Sequence, residues 1–201
     1  MTIKTSETSP RDVYKLLIGM VVPRPIGWIS TVSLDGVYNL APFSFFNAVS
    51  GDPPVVCFSA AKKPGEEPRK DSLRNIEETG DFVVNVVSES LVEAMNASAA
   101  DVGPDIDEFE LVGLTAVPGT MQSAPMVGEA LAKMECKLRQ IIVLGDKPTS
   151  GILVLGDVLA FHADDGLVEN YRVNAEKLAA VGRMGGMSYC RTRELFEVQR
   201  R

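Results

Sequence analysis

Two β-like runs, KMECKLRQIIVLG at 133–145 and ILVLGDVLAFHAD at 152–164, are separated by little more than the turn-forming DKPTS. That arrangement predicts a long antiparallel hairpin. Upstream, Asp35-Gly36 stands between IGWISTVS and VYNLAPFSF, the strongest short hairpin signal, and Asp52-Pro53-Pro54 marks a turn before the buried-looking run VVCFSA. DFVVNVV adds another strand after Gly80. Several strands separated by Gly- and Pro-bearing turns, with only short helices between them, predict a mainly β, α+β fold built on a closed or nearly closed barrel.

The helices announce themselves through their ends. Ser9 followed by Pro10 opens one that Pro23 and Pro25 terminate. Asp71 or Ser72 is placed to cap SLRNIEET, which Gly80 closes. Ser90-Leu91-Val92-Glu93 fits a capping box for a helix reaching about Ala99, and Asn174 fits the cap of AEKLAAV. Between them ADVGPDIDEFELVG is acidic and turn-rich, and is expected to cover a surface or reach a partner chain.

Composition narrows the chemistry. At 201 residues, 45% hydrophobic and 23% charged, the chain fits one globular domain over 1–201, with a barrel core at about 20–165 and a C-terminal extension at about 166–201. A net charge of -7 argues against nucleic-acid binding. The first residues carry no basic region followed by an apolar run, and no stretch is long enough for a membrane span, so a cytoplasmic protein without a membrane partner is expected. The three cysteines, Cys57, Cys136 and Cys190, form no pairing motif, and His162 is the only histidine. A Ser-His-Asp hydrolase or a multi-histidine metal centre would lack parts, so no metal site is expected. Chemistry carried by a bound organic cofactor remains.

Polar side chains among aromatic ones then draw attention. Ser30-Thr31, the stretch Asn39 to Asn47, and Ser59 with the Arg69-Lys70-Asp71-Ser72 segment all place small polar groups at strand or loop ends. A helix N-terminus beside Lys70 and Ser72 would suit a phosphate, although the same residues also read as a solvated helix cap. Phe43, Phe45 and Phe46 read as core or as a floor for a flat ring. In a regular strand consecutive Phe45 and Phe46 face opposite ways, so one of them meets something other than the core. Ser44 and Asn47 would bond a heteroaromatic edge or satisfy a turn.

The run RPIGWISTVSLDGVYNLAPFSFFNAVSGDPPVVCFS, with KDSLRNIEETGDFVVNVV, DEFELVGLT, ECKL, LGDVLAFHADD and GRMGGMSYCRT, resembles the flavin reductase-like family of FMN-binding split barrels, close to its flavoredoxin-like members, over nearly the whole chain. The resemblance implies a six-stranded antiparallel Greek-key split barrel with short flanking helices, a homodimer, and noncovalent FMN. It implies hydride transfer from NADH or NADPH to flavin N5, with a redox protein or monooxygenase as a further partner. A flavoredoxin-like electron carrier and a non-catalytic flavin-binding module stay open beside that reading. Carried over by position, the cofactor-binding residues are Ser30, Thr31, Ala41, Ser44, Phe45, Asn47, Ser59, Lys70, Asp71, Ser72 and Arg183, the last in GRMGG near Tyr189. Thr31 is the candidate for tuning N5. His162 is a candidate for holding the nicotinamide, or a surface turn residue. Glu108-Phe109 is either a segment over the neighbouring subunit's flavin or a solvated acidic loop.

Overall fold

A computed structural model describes residues 1–61, 70–147 and 149–199. Its centre is one antiparallel sheet of seven strands: β1 (Gly27–Val32), β2 (Tyr38–Phe43), β3 (Phe46–Gly51), β4 (Pro54–Ala61), β5 (Asp81–Val86), β6 (Ala132–Val143) and β7 (Gly151–Ala163). Their spatial order is β2-β1-β5-β6-β7-β4-β3. The long hairpin expected at 133–164 is β6 and β7, paired from Ile152 with Val143 to Ala163 with Ala132, with register shifts between Leu155 and Gly156 and between Val158 and Ala160.

Seven strands replace the expected six because the chain bends at Ser44-Phe45, dividing the aromatic run into β2 and β3. These consecutive strands form the two opposite edges of the sheet. The sheet curls to bring them together. Phe43 of β2 meets Phe58 of β4 with ring centroids 4.7 Å apart, and Ser59 N–H donates to Phe45 C=O at 2.8 Å, carrying the β3–β4 ladder up to the bend. This is a split barrel. Phe46 turns toward the interior while Phe45 turns out against Tyr14, at 6.5 Å between ring centroids. The two rings therefore do face different surroundings, through a bend rather than through the alternation of one regular strand.

The barrel interior is filled by Ile29, Phe43, Phe58, Phe82, Val84, Cys136 and Val154. Each buried phenylalanine contributes roughly 1.5–3 kcal/mol through the water it no longer contacts. Gly156 is set by this core: a Cβ there would stand 2.2 Å from Phe82 Cζ. A second core, around Trp28, Leu40, Met95 and Phe109, lies between the sheet and the short helices α3 (Val92–Ala97) and α4 (Glu108–Val112).

The helix ends only partly follow expectation. In α1 (Pro10–Met20), Ser9 Oγ accepts from Asp12 N–H, with Pro10 at the first position. In α5 (Ala175–Leu178), Asn174 accepts from Lys177 N–H. Gly80 ends α2 (Asp71–Thr79) in the left-handed conformation, φ 74°. The cap of α2, however, is Lys70, with no side-chain bond to the helix end; Ser72 turns inward and Asp71 pairs with Arg74 at 2.9 Å. The capping box at Ser90 to Glu93 is not formed, because a 3-10 turn at Glu89–Leu91 precedes α3 and Ser90 meets Ser88 instead. The chain then closes with a small sheet in which Arg24–Pro25, Val181–Arg183 and Tyr189–Arg191 pair. Among the described residues no helix is long and apolar enough to cross a membrane.

Candidate functional site

Two clefts open along β2 and the bend that follows it. The first is lined by Asn39, Ala41, Lys70, Asp71, Ser72 and Glu108. The second, about 240 Å³, is lined by Tyr14, Arg24, Ser44, Asn96, Arg183 and Tyr189. Pro42 and Ala99 line both, so the clefts adjoin.

A buried polar network forms the wall of the first cleft. Glu108, 4% exposed, accepts from Asn39 Nδ2 at 2.9 and 3.0 Å and from Leu40 N–H at 3.0 Å. Asn39 Oδ1 in turn accepts from Ser72 Oγ at 2.7 Å and Thr31 Oγ1 at 3.4 Å, while Asn75 Nδ2 donates to Thr31 Oγ1 at 3.0 Å. Burial pushes the Glu108 carboxyl above its ordinary range; the Leu40 and Asn39 donors pull it part of the way back, and the Asp71 charge adds to the rise. Beside this wall the Lys70 ammonium lies 5.2 Å from the centre of the Phe43 ring.

This arrangement corrects the reading of residues 108 and 109. The segment is not a solvated loop. Asp107 caps α4 by accepting from Phe109 N–H at 2.7 Å, Gly113 ends it, Phe109 enters the second core at 1% exposure, and Glu108 holds β2 of its own chain. The signal missed was Asp107 and Gly113 bracketing EFELV, a short helix with its own cap and stop.

The other expected site residues divide into groups. Ala41, Lys70, Asp71 and Ser72 come together on the first cleft, and Ser44 and Arg183 on the second. Thr31 is fully buried behind the first cleft and reaches it only through Asn39. Ser30 is also fully buried, its hydroxyl donating to Pro125 C=O at 2.5 Å and accepting from Asn85 Nδ2 at 3.0 Å, so it faces the interior. Phe45 leans outward between Tyr14 and Arg24, whose guanidinium lies 5.9 Å from its ring centre. Asn47 is exposed on β3, bonded to Ala48 N–H at 2.9 Å, and Ser59 is half-buried on β4; neither lines a cleft. Arg69 lies outside the described residues, as does most of the charged loop before it.

His162 also stands apart. Its Nε2 lies 2.6 Å from Glu135 Oε1, and Glu135 further accepts from Thr120 Oγ1 at 2.6 Å, Thr120 N–H at 3.0 Å and Met121 N–H at 2.8 Å. It neither lines a cleft nor stands free at a turn.

The joined clefts thus offer Lys70 and the start of α2, beside the carboxyls of Asp71 and Glu108, at one end, a stretch of β2 backbone with Ala41 and Pro42 in the middle, and tyrosine rings at the other. That lining suits a ligand with an anionic head and a flat, largely apolar body. The model of the flavin reductase-like domain matches residues 19–181. The solved structure of nitrilotriacetate monooxygenase component B from Bacillus cereus is 39% identical, with a TM-score of 0.94 and 98% of each chain covered. That of the 2-nitrobenzoate 2-nitroreductase NbaA from Pseudomonas fluorescens is 32% identical, with a TM-score of 0.89, covering 100% of this chain and 96% of that one. Flavoredoxin of Desulfovibrio vulgaris (Miyazaki F), 21% identical with a TM-score of 0.76 over 98% of this chain and 97% of its own, shares the fold.

Proposed function

The chain belongs to the flavin reductase-like domain family, and on that premise we propose that it binds FMN noncovalently and reduces flavin with electrons from NADH or NADPH. The observation that carries this reading is the pair of adjoining clefts along residues 39–44, polar and cationic at Lys70 and Ser72, ring-lined at Tyr14 and Tyr189. FMN would supply the hydride-accepting ring. The protein supplies position and electrostatics.

In this reading Lys70 and the uncapped N-terminus of α2 hold the phosphate, with the helix dipole and a point charge acting together. Ser72 is already committed to Asn39, so its backbone N–H is its contribution. Ala41, Pro42 and Ser44 lie along the body of the cofactor. Thr31, sealed behind Asn39, positions that amide and does not itself touch the ring. The likeness to a monooxygenase component B supports delivery of electrons to a separate oxygenase as the physiological role.

An absorbance titration with FMN, followed by anaerobic NADH or NADPH, tests the reading. Bleaching of bound flavin within seconds, with turnover, is expected. A flavin that dithionite bleaches and neither nicotinamide does would make the chain an electron carrier or a binding module. Lys70→Ala is the probe, because Asp71 is paired with Arg74 and Ser72 with Asn39, and both hold α2. It is expected to weaken FMN about tenfold and leave riboflavin within about twofold, as loss of one charge-assisted contact requires. Equal losses would remove the phosphate from this end of the cleft.

A further inference from the structure

The second cleft holds positive charge that no acidic side chain among the described residues answers. Arg24 is 5% exposed. Its guanidinium donates to the carbonyls of Ile18 at 2.7 Å, Val21 at 2.8 Å and Met184 at 3.1 Å, with Nε 3.5 Å from Ser44 Oγ. Those carbonyls satisfy N–H groups and favour the cation at the end of α1, but they cancel no net charge. Arg183 shares the cleft. Its guanidinium lies 4.4 Å from the centre of the Tyr189 ring and donates to Gly186 C=O at 2.8 Å. The rest of its five donors have no protein partner among the described residues.

Neither arginine forms an ion pair among the described residues. Arg24 is buried, and a buried charge is ordinarily paired because an unpaired one is expensive to take out of water, whereas Arg183 is only half-buried. Burial lowers the pKa of Arg24; the Tyr14 phenol works against that and Arg183 adds to it. A cation with no carboxylate, a second cation with an open donor edge, two tyrosine rings and the hydrogen-bonding groups of Ser44 and Asn96 converge on one cavity of about 240 Å³. An arginine whose face is stacked on a ring presents its in-plane N–H groups as a fork that matches an oxyanion.

We propose that Arg24 and Arg183 form an oxyanion subsite for the ligand that exchanges electrons with the flavin, either the phosphate of a nicotinamide dinucleotide or the carboxylate of an aromatic acceptor. Its role beside a flavin rests on the function proposed above; its affinity for an anion does not. The first cleft, with Lys70, keeps the cofactor's phosphate; the cofactor's body runs along Ala41, Pro42 and Ser44, and the second anion meets Arg24 and Arg183 at the far end of the common groove.

The test is calorimetric titration of inorganic pyrophosphate and of benzoate onto the protein without flavin, using the wild type, Arg183→Gln and Arg183→Lys, each checked for an unchanged circular dichroism spectrum. At least one anion is expected to bind the wild type, more weakly as salt is added. Arg183→Gln is expected to weaken it about tenfold or more, and Arg183→Lys to restore part of the loss. Pyrophosphate binding points to the dinucleotide, and benzoate binding to the aromatic acid. Failure of both anions to bind, or binding indifferent to Arg183→Gln, overturns the subsite. So does a variant that loses FMN but keeps riboflavin, since the arginines would then hold the cofactor's phosphate. Should the wild type bind an anion at Arg183 and no FMN, the flavin reading fails and the subsite stands.

Discussion

Glu108 and Glu135 are both shut away from solvent, at 4% and 0% exposed, and each accepts hydrogen bonds from backbone and side-chain donors. Their carboxyls nevertheless move in opposite directions. Burial raises both. At Glu135 the Thr120 hydroxyl, the Thr120 and Met121 N–H groups and His162 overcome that rise and hold the carboxyl at about 2. At Glu108 two N–H groups, those of Leu40 and of Glu108 itself, and the Asn39 amide do not overcome it, and the Asp71 charge pushes the same way as burial. The difference lies in the number of donors and in the like charge of Asp71 beside Glu108. Glu135 acts as a staple that fixes the loop around Thr120 to β6. Glu108 stands on the wall of the cleft, where a carboxyl with a raised pKa can respond to what binds beside it.

The largest expected effect is at the staple. A carboxyl held at about 2 in the folded chain against 4.5 in the unfolded one contributes on the order of 3 kcal/mol. Because the folded value is the lower one, that stability is present above about pH 4.5 and is lost as pH falls toward about 2. Glu135→Gln is therefore expected to cost about 3 kcal/mol in urea unfolding at neutral pH and to flatten the loss in acid. A cost below about 1 kcal/mol would mean the loop holds itself.

Sequence reveals one of these glutamates less readily than the other for a physical reason. Turn chemistry is local, so Asp35-Gly36, Gly80 and Asn174 could be read directly, and the polar residues of 39–47 stood out against their aromatic neighbours. Residues Lys70 to Ser72 could be associated with a cleft because α2 starts there. The contact between Glu135 and His162 depends on the register of β6 against β7, which shifts between Leu155 and Gly156 and again between Val158 and Ala160. Counting outward from the turn misaligns the strands after the first of these irregularities. Glu108 reaches Asn39 from a helix 69 residues later, and Arg24 reaches Met184 across 160. Only the folded chain brings such pairs together, so the second cleft was legible as Ser44 and Arg183 separately and not as one cavity. The capping box at Ser90 failed for the opposite reason: a local motif was present, but a 3-10 turn and Ser88 took its place.

The cleft-side glutamate sharpens the contrast through pH. Its folded pKa is raised, so the folded chain holds this proton more tightly than the unfolded chain does, and its share of stability falls as pH rises from about 4.5 through the raised value. Glu108→Gln removes that slope. Urea unfolding at about pH 5 and about pH 8 is expected to show a smaller fall in stability for the variant than for the wild type, with a net change at neutral pH within about 1 kcal/mol. An unchanged slope would show that Glu108 is ionised throughout, and the two glutamates would then differ only in position.

The smallest effect is expected at His162, and it separates two uses of the same ring. His162 is 25% exposed and is one donor among several on Glu135. Replacing it by glutamine leaves Thr120 Oγ1, Thr120 N–H and Met121 N–H in place, so the cost in urea unfolding is expected to be about 0.5–1 kcal/mol. A cost near that of Glu135→Gln would make the histidine the centre of the staple. The same variant also tests whether the ring holds the nicotinamide. The ring lines neither cleft and is already bonded to Glu135, so the KM for NADH is expected to stay within about twofold. A KM raised about tenfold beside a small loss of stability would return His162 to the nicotinamide, and the contact with Glu135 would then serve to aim the ring.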